Sequence, residues 1–160
     1  MYSQKVLFTE EECNFLISQA GEFKPAFYFK QPECILNLDQ DIKNFLFEKF
    51  KPFDIIKLPK NIKMLKYTEG INFNLHIDSD GKDGRIKTVV TQLSQPDSYE
   101  GGTLELIVNG KRTKINRELG NSVIYPSSTP HEVSTITSGV RYVLVFWLRK
   151  QHINFIRRII

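Results

Sequence analysis

The chain has 160 residues, 41% of them hydrophobic and 25% charged, with a formal net charge of +4 and two cysteines. That length makes one ordinary domain, residues 1–160, whose core needs no disulfide or metal staple and leaves no room for a second domain. No apolar run is long enough to cross a bilayer and Met1-Tyr2-Ser3-Gln4-Lys5 does not begin a secretory signal, so a cytoplasmic protein with no membrane partner is expected.

The N-terminal third reads as helical. Thr9 and Glu12 form a capping box, and Cys13, Leu16, Ile17 and Ala20 recur at helical spacing before Gly21 ends the segment. Cys13 is therefore helix core, and with Cys34 it is too sparse a pattern for a disulfide framework or a zinc site. Phe23, Phe27, Tyr28 and Phe29 have the composition of a small aromatic lid, but core is the preferred assignment. Asp39 caps a second helix with the apolar stripe Ile42, Phe45 and Leu46, closed by Pro52. The two helices are expected to cover one outer face of a sheet.

From Ile62 onward, turn signals punctuate short strands, among them Glu69-Gly70, Asp80-Gly81, Asp83-Gly84 and Leu119-Gly120. The clearest is Asn109-Gly110 between Leu104-Glu105-Leu106-Ile107-Val108 and Lys111-Arg112-Thr113-Lys114-Ile115, the pattern of a type I′ hairpin. The fold expected is mainly β with N-terminal helices, a sandwich or jelly roll, with helical support over about 9–52 and the β core over about 62–149.

Two segments carry chemistry. In Asn72-Phe73-Asn74-Leu75-His76-Ile77-Asp78, alternation places His76 and Asp78 on one strand face, opposite Phe73, Leu75 and Ile77. His131 opens a second extended segment, and two histidines with one carboxylate are a ligand set for a non-haem Fe(II) that keeps one face open. The final strand reads Arg141, Val143, Val145, Trp147 on one face and Tyr142, Leu144, Phe146, Leu148 on the other, apolar on both sides except at Arg141. A buried arginine cannot shed its charge and needs an anion, and its planar fork suits a carboxylate. On the strand after the metal pair, Thr88, Val90 and Gln92 alternate toward the pocket, with Leu104, Val143, Val145 and Trp147 as its walls. Gly101-Gly102 is read as easing a tight bend into the following strand, and the charged segment from Ser79 to Arg85 as the rim of the pocket's mouth. His152 is expected to be solvated in a polar tail, and the basic run from Arg149-Lys150 to Arg157-Arg158 reads as a solvated end, so nucleic acid is not favoured as a partner.

Taken with Tyr67 upstream, Tyr99-Glu100-Gly101-Gly102 and Gly120-Asn121-Ser122-Val123-Ile124-Tyr125-Pro126 between, and Pro130-His131, these motifs resemble the prolyl 4-hydroxylase-type Fe(II)/2-oxoglutarate dioxygenases over about 8–148. The resemblance implies a double-stranded β-helix (jelly roll, cupin-like). It implies Fe(II) held by His76, Asp78 and His131, 2-oxoglutarate as cosubstrate, and ascorbate as an accessory reductant. Arg141 and Tyr67 would bind the distal carboxylate of the cosubstrate, with Thr88 as a hydroxyl donor beside them. A prolyl residue in a peptide or protein is the favoured substrate. Animal collagen prolyl hydroxylases place a lysine where Arg141 stands, which argues against a collagen-like substrate. Free amino acids, other peptidyl side chains and nucleic-acid demethylation use the same centre. A noncatalytic jelly-roll binding module, or a jelly-roll enzyme with another metal, stands as the alternative of a different class.

Overall fold

A computed structural model describes residues 1–26 and 32–154. The strands are β1 (Ser3–Val6), β2 (Lys24–Pro25), β3 (Pro32–Ile35), β4 (Lys63–Tyr67), β5 (Phe73–His76), β6 (Lys87–Gln92) and β7 (Tyr99–Glu100). They continue with β8 (Leu104–Val108), β9 (Lys111–Lys114), β10 (Asn121–Pro126), β11 (His131–Val133), β12 (Ser138–Gly139) and β13 (Arg141–Leu148). Helices α1 (Glu10–Ser18) and α2 (Gln40–Phe50) precede β4. A seven-stranded sheet in the order β1-β10-β6-β13-β4-β3-β2 faces a four-stranded sheet in the order β5-β11-β8-β9, and β12 pairs with β7. This is the expected double-stranded β-helix. Among the described residues no helix is long and apolar enough to cross a membrane.

The central strand β13 shows why two layers form. Its even face, Leu144, Phe146 and Leu148, packs in one buried cluster with Cys13 and Leu16 of α1 and Ile42, Leu46 and Phe50 of α2. Its odd face, Val143 and Val145, joins Tyr67, Val90, Leu104 and Tyr125 in a second cluster between the sheets. The helices thus cover the outer face of the large sheet as the sequence pattern requires. Their starts are capped as expected: Thr9 Oγ1 accepts from Glu12 N at 3.2 Å while Glu12 Oε2 accepts from Thr9 N at 2.9 Å, and Asp39 Oδ1 accepts from Ile42 N at 2.8 Å. Asn109 (φ 50°) and Gly110 (φ 73°) both take positive φ, as a type I′ turn between β8 and β9 demands.

Two expectations change. The N-terminal third also contributes strands: β1 pairs with β10 at one edge of the large sheet, and β3 and β2 extend the other. Every residue of β1 is exposed, so it is held by backbone pairing and shows no alternating apolar pattern. His152 is buried, because Ile153 bridges Ile55, Ile56 N donates to His152 O, and His152 Nδ1 accepts from Arg149 N at 2.9 Å. Burial, with Lys57 and Arg149 nearby, lowers its pKa. Phe23 packs 5.9 Å from the Tyr142 ring, on the core side, whereas Phe27, Tyr28 and Phe29, like Arg157 and Arg158, lie outside the described residues.

Burial, reinforced by the carboxylates of Glu12 and Glu10, pushes the Cys13 thiol up to about 12. Mass spectrometry of the native protein treated with iodoacetamide at about pH 8 should find Cys13 unmodified, since the thiolate is the reacting form. Alkylation of native Cys13 at a free-thiol rate would contradict this packing. Phe146, fully buried with its ring edge-to-face against Phe50 at 5.0 Å, should cost roughly 3–5 kcal/mol in urea unfolding when cut to alanine.

Candidate metal centre

His76 and His131 are brought together by the small sheet. They are register partners on β5 and β11, with ring centroids 4.2 Å apart. Two residues later on β11, Val133 pairs with Phe73, three residues back on β5, so β5 carries one extra residue. This bulge breaks the simple alternation. Phe73, expected on the face opposite His76, instead stacks on it at 3.8 Å between ring centroids, while Leu75 and Ile77 are exposed. Asp78 lies beyond the end of β5 and is held by the backbone: Asp78 N and Ser79 N both donate to Ser127 O, at 2.9 and 3.1 Å.

The imidazoles are oriented from behind. His76 Nδ1 lies 2.6 Å from Asn74 O and His131 Nδ1 lies 2.9 Å from Thr129 O. A carbonyl oxygen only accepts, so Nδ1 carries a proton in both rings and Nε2 is the ring nitrogen turned toward the cluster. Both Nε2 atoms point at Asp78 Oδ1, at 3.3 Å from His76 and 3.5 Å from His131. The three donor atoms lie within 4.8 Å of one another. Burial pushes the Asp78 carboxyl upward, but hydrogen bonds from the protonated forms of His131 and His76, and from Thr88, outweigh it and hold it well below the usual carboxylate range. Two imidazole Nε2 atoms and a carboxylate converging on one point fit a divalent first-row metal with open positions, the Fe(II) facial triad among them.

At the other end stands Arg141, in register with Tyr67 on β4. It is 1% exposed; Nε donates to Gln92 Oε1 at 3.2 Å, and the guanidinium carbon lies 4.9 Å from the centre of the Tyr67 ring. Nη1 and Nη2 are buried with no hydrogen-bond partner among the described residues. Leaving two charged donors unmet costs several kcal/mol, on the order of the penalty for an unpaired buried ion. The fork is therefore fitted to take a carboxylate. Gly102 makes room for it: a Cβ there would lie 2.4 Å from Ile136 Cδ1 and 3.0 Å from Arg141 Cδ, and its φ is +62°. The glycine thus shapes the arginine's berth as well as the bend before β8.

A cavity of about 410 Å³ joins the two ends. Val90, Leu104, Val143, Val145 and Trp147 line it with Tyr67, Thr88, Arg141 and the three candidate ligands. Gln92 does not line it and stands behind Arg141. Thr88 is at the wrong end for the role expected of it. It is in register with Trp147, six residues along β13 from Arg141, on the order of 20 Å, and its hydroxyl donates to Asp78 Oδ2 at 2.6 Å. Arg85, from the charged segment after Asp78, reaches the mouth, where its guanidinium carbon is 5.3 Å from the Trp147 ring centre. Sequence reasoning missed Tyr125, Phe73, Glu33 and Lys63, which also line the cavity. Tyr125 was accessible from alternation, since Val123 and Tyr125 face inward around Ile124. The Glu33 to Lys63 ion pair, at 3.0 Å, joins β3 to β4, and no local pattern announces it.

The family model described as the 2OG-Fe(II) oxygenase superfamily matches residues 62–149. A PKHD-type hydroxylase of Pseudomonas putida (strain W619) is 37% identical over 89 residues, which are 51% of this chain and 39% of that protein. A PKHD-type hydroxylase of Hyphomonas neptunium is 41% identical over 87 residues, again 51% and 39%. The matched stretch is thus less than half the length of either relative. In fold, the chain resembles a Pseudomonas putida prolyl-4-hydroxylase (TM-score 0.73, 18% identity, covering 93% of this chain and 92% of that one). It also resembles the viral collagen prolyl hydroxylase of Paramecium Bursaria Chlorella virus-1 (TM-score 0.71, 20% identity, 92% and 94%).

Gly102→Ala should weaken binding of a dicarboxylate ligand while leaving divalent-metal uptake intact, because the added methyl displaces the Arg141 stem and not the triad. Paired calorimetric titrations with metal and with 2-oxoglutarate check this; equal loss of both would place the damage in the fold as a whole.

Proposed function

We propose that this chain, which belongs to the 2OG-Fe(II) oxygenase superfamily, is an Fe(II)- and 2-oxoglutarate-dependent dioxygenase that hydroxylates a prolyl residue in a peptide or protein. The observation that carries the reading is one cavity with a two-histidine, one-carboxylate cluster at one end and a buried guanidinium with two unmet donors at the other. A metal cluster alone fits many chemistries. The added carboxylate receptor calls for an anionic cosubstrate spanning the two.

His76, Asp78 and His131 would hold the iron through Nε2, Oδ1 and Nε2. Iron held there would supply, together with bound 2-oxoglutarate and O₂, an oxidation that gives succinate, CO₂ and a hydroxylated substrate carbon. Arg141 takes the distal carboxylate through Nη1 and Nη2, with Nε kept on Gln92 and the Tyr67 ring against the guanidinium. Burial raises the Tyr67 pKa against the lowering influence of Arg141, so its hydroxyl stays protonated and able to donate. Val90, Leu104, Val143 and Val145 exclude water from the space between. At the mouth, Trp147 offers a broad apolar surface to a pyrrolidine ring, and its buried indole N–H has no partner among the described residues and can donate to a substrate carbonyl. One fold neighbour is a Trichoplax adhaerens prolyl hydroxylase in complex with a hypoxia inducible factor peptide fragment, which supports an extended peptide as occupant of this mouth.

The test is anaerobic loading with Fe(II) followed by titration with 2-oxoglutarate, watching the visible metal-to-ligand charge-transfer band. Wild type should develop the band and His131→Ala should not. Arg141→Ala should need roughly 30-fold more cosubstrate or beyond, the equivalent of about 2 kcal/mol. Addition of O₂ and a prolyl peptide should then yield succinate and a singly oxygenated peptide, and its alanine counterpart should yield none. A metal-loaded wild type without the band would refute the dioxygenase; a band with no peptide oxygenation would refute the substrate alone.

A further inference from the structure

We propose that Thr88 positions Asp78, holding it as a one-oxygen ligand through a hydroxyl chain that begins at Ser127; the inference rests on the metal-centre reading above. Thr88 Oγ1 lies 2.6 Å from Asp78 Oδ2 and 3.1 Å from Ser127 Oγ. A threonine hydroxyl has one proton, and an ionised carboxylate only accepts. Thr88 therefore donates to Asp78, and Ser127 donates to Thr88. Both hydroxyl residues are 1% exposed, so water does not compete for these bonds. The chain makes the two carboxylate oxygens different: Oδ2 is engaged from the large sheet, and Oδ1 faces the Nε2 atoms of both histidines.

The backbone supports the same arrangement. Ser127 O accepts from Asp78 N and Ser79 N, and Ser127 N donates to Ile86 O at 3.1 Å, fixing carboxylate and hydroxyl chain to one another. The branched Thr88 side chain on a strand has few χ1 choices, so its hydroxyl is aimed before any ligand arrives. A carboxylate free to turn would present both oxygens to a metal and take up a position that a cosubstrate or O₂ requires. Thr88 prevents that turn, and its place at the metal end of the cavity explains why it does not serve the Arg141 end.

The experiment compares wild type, Thr88→Val, Thr88→Ser and Ser127→Ala by Mn(II) titration, by the visible spectrum of the Co(II)-saturated proteins, and by thermal unfolding without metal. Thr88→Val keeps the side chain's shape and removes the donor; it should weaken Mn(II) binding about 10- to 100-fold and alter the Co(II) bands. Thr88→Ser should restore most of both, and Ser127→Ala should fall between. Wild-type affinity and an unchanged Co(II) spectrum in Thr88→Val, or failure of Thr88→Ser to rescue, would overturn the proposal. If Thr88→Val does not fold, the other two decide: Ser127→Ala weaker than Thr88→Ser supports it, and Ser127→Ala equal to wild type overturns it. A wild type that takes up no Mn(II) overturns the metal centre itself, whereas binding in wild type and equal binding in Thr88→Val overturns only the role of Thr88.

Discussion

A guanidinium that cannot lose its proton is sealed between two sheets with two of its donors unmet, and much of the site is arranged around that constraint. Gln92 gives up its place on the cavity wall to hold Nε, Tyr67 lays its ring beside the charge, and Gly102 dispenses with a side chain so that the arginine stem can pass. None of these contacts neutralises Arg141. They fix its direction and leave Nη1 and Nη2 without a partner among the described residues, a geometry suited to a carboxylate from outside.

The parts of this arrangement visible in the sequence are those governed by local periodicity or by rare residue types. The two apolar faces of β13 give both the sandwich and the isolation of Arg141, because a strand covered on both sides has no other place for a charge. Capping residues mark both helices, and Asn109-Gly110 marks its hairpin, since each depends on neighbours a few positions away. Less legible is whatever depends on long-range register. The bulge that swings Phe73 onto His76 arises from how β5 meets β11. The hydroxyl of Thr88 finds Asp78 only because β6 and the end of β5 converge near Ser127. His152 looks like a solvated tail residue until the bridge between Ile55 and Ile153 draws it inward.

Charge is distributed along the cavity with the same economy. The mouth carries ion pairs that satisfy themselves, Glu33 with Lys63 and Asp83 with Arg85, each at 3.0 Å or less. The interior holds the carboxylate and imidazoles at one end and, at the other, the guanidinium whose Nη1 and Nη2 have no partner among the described residues. A ligand entering from solvent therefore crosses a balanced rim before it meets uncompensated charge. Coulombic differences are felt most strongly in that desolvated interior.

Asp78 also has a mechanical position. The histidines belong to the small sheet, whereas the loop carrying Asp78 is fastened by Ser127 and Thr88 to the ends of β10 and β6 in the large one. Whatever the three side chains grip together is therefore a rivet through the seam of the sandwich. Chemistry and cohesion would share that seam, since a metal held there would fasten one layer to the other.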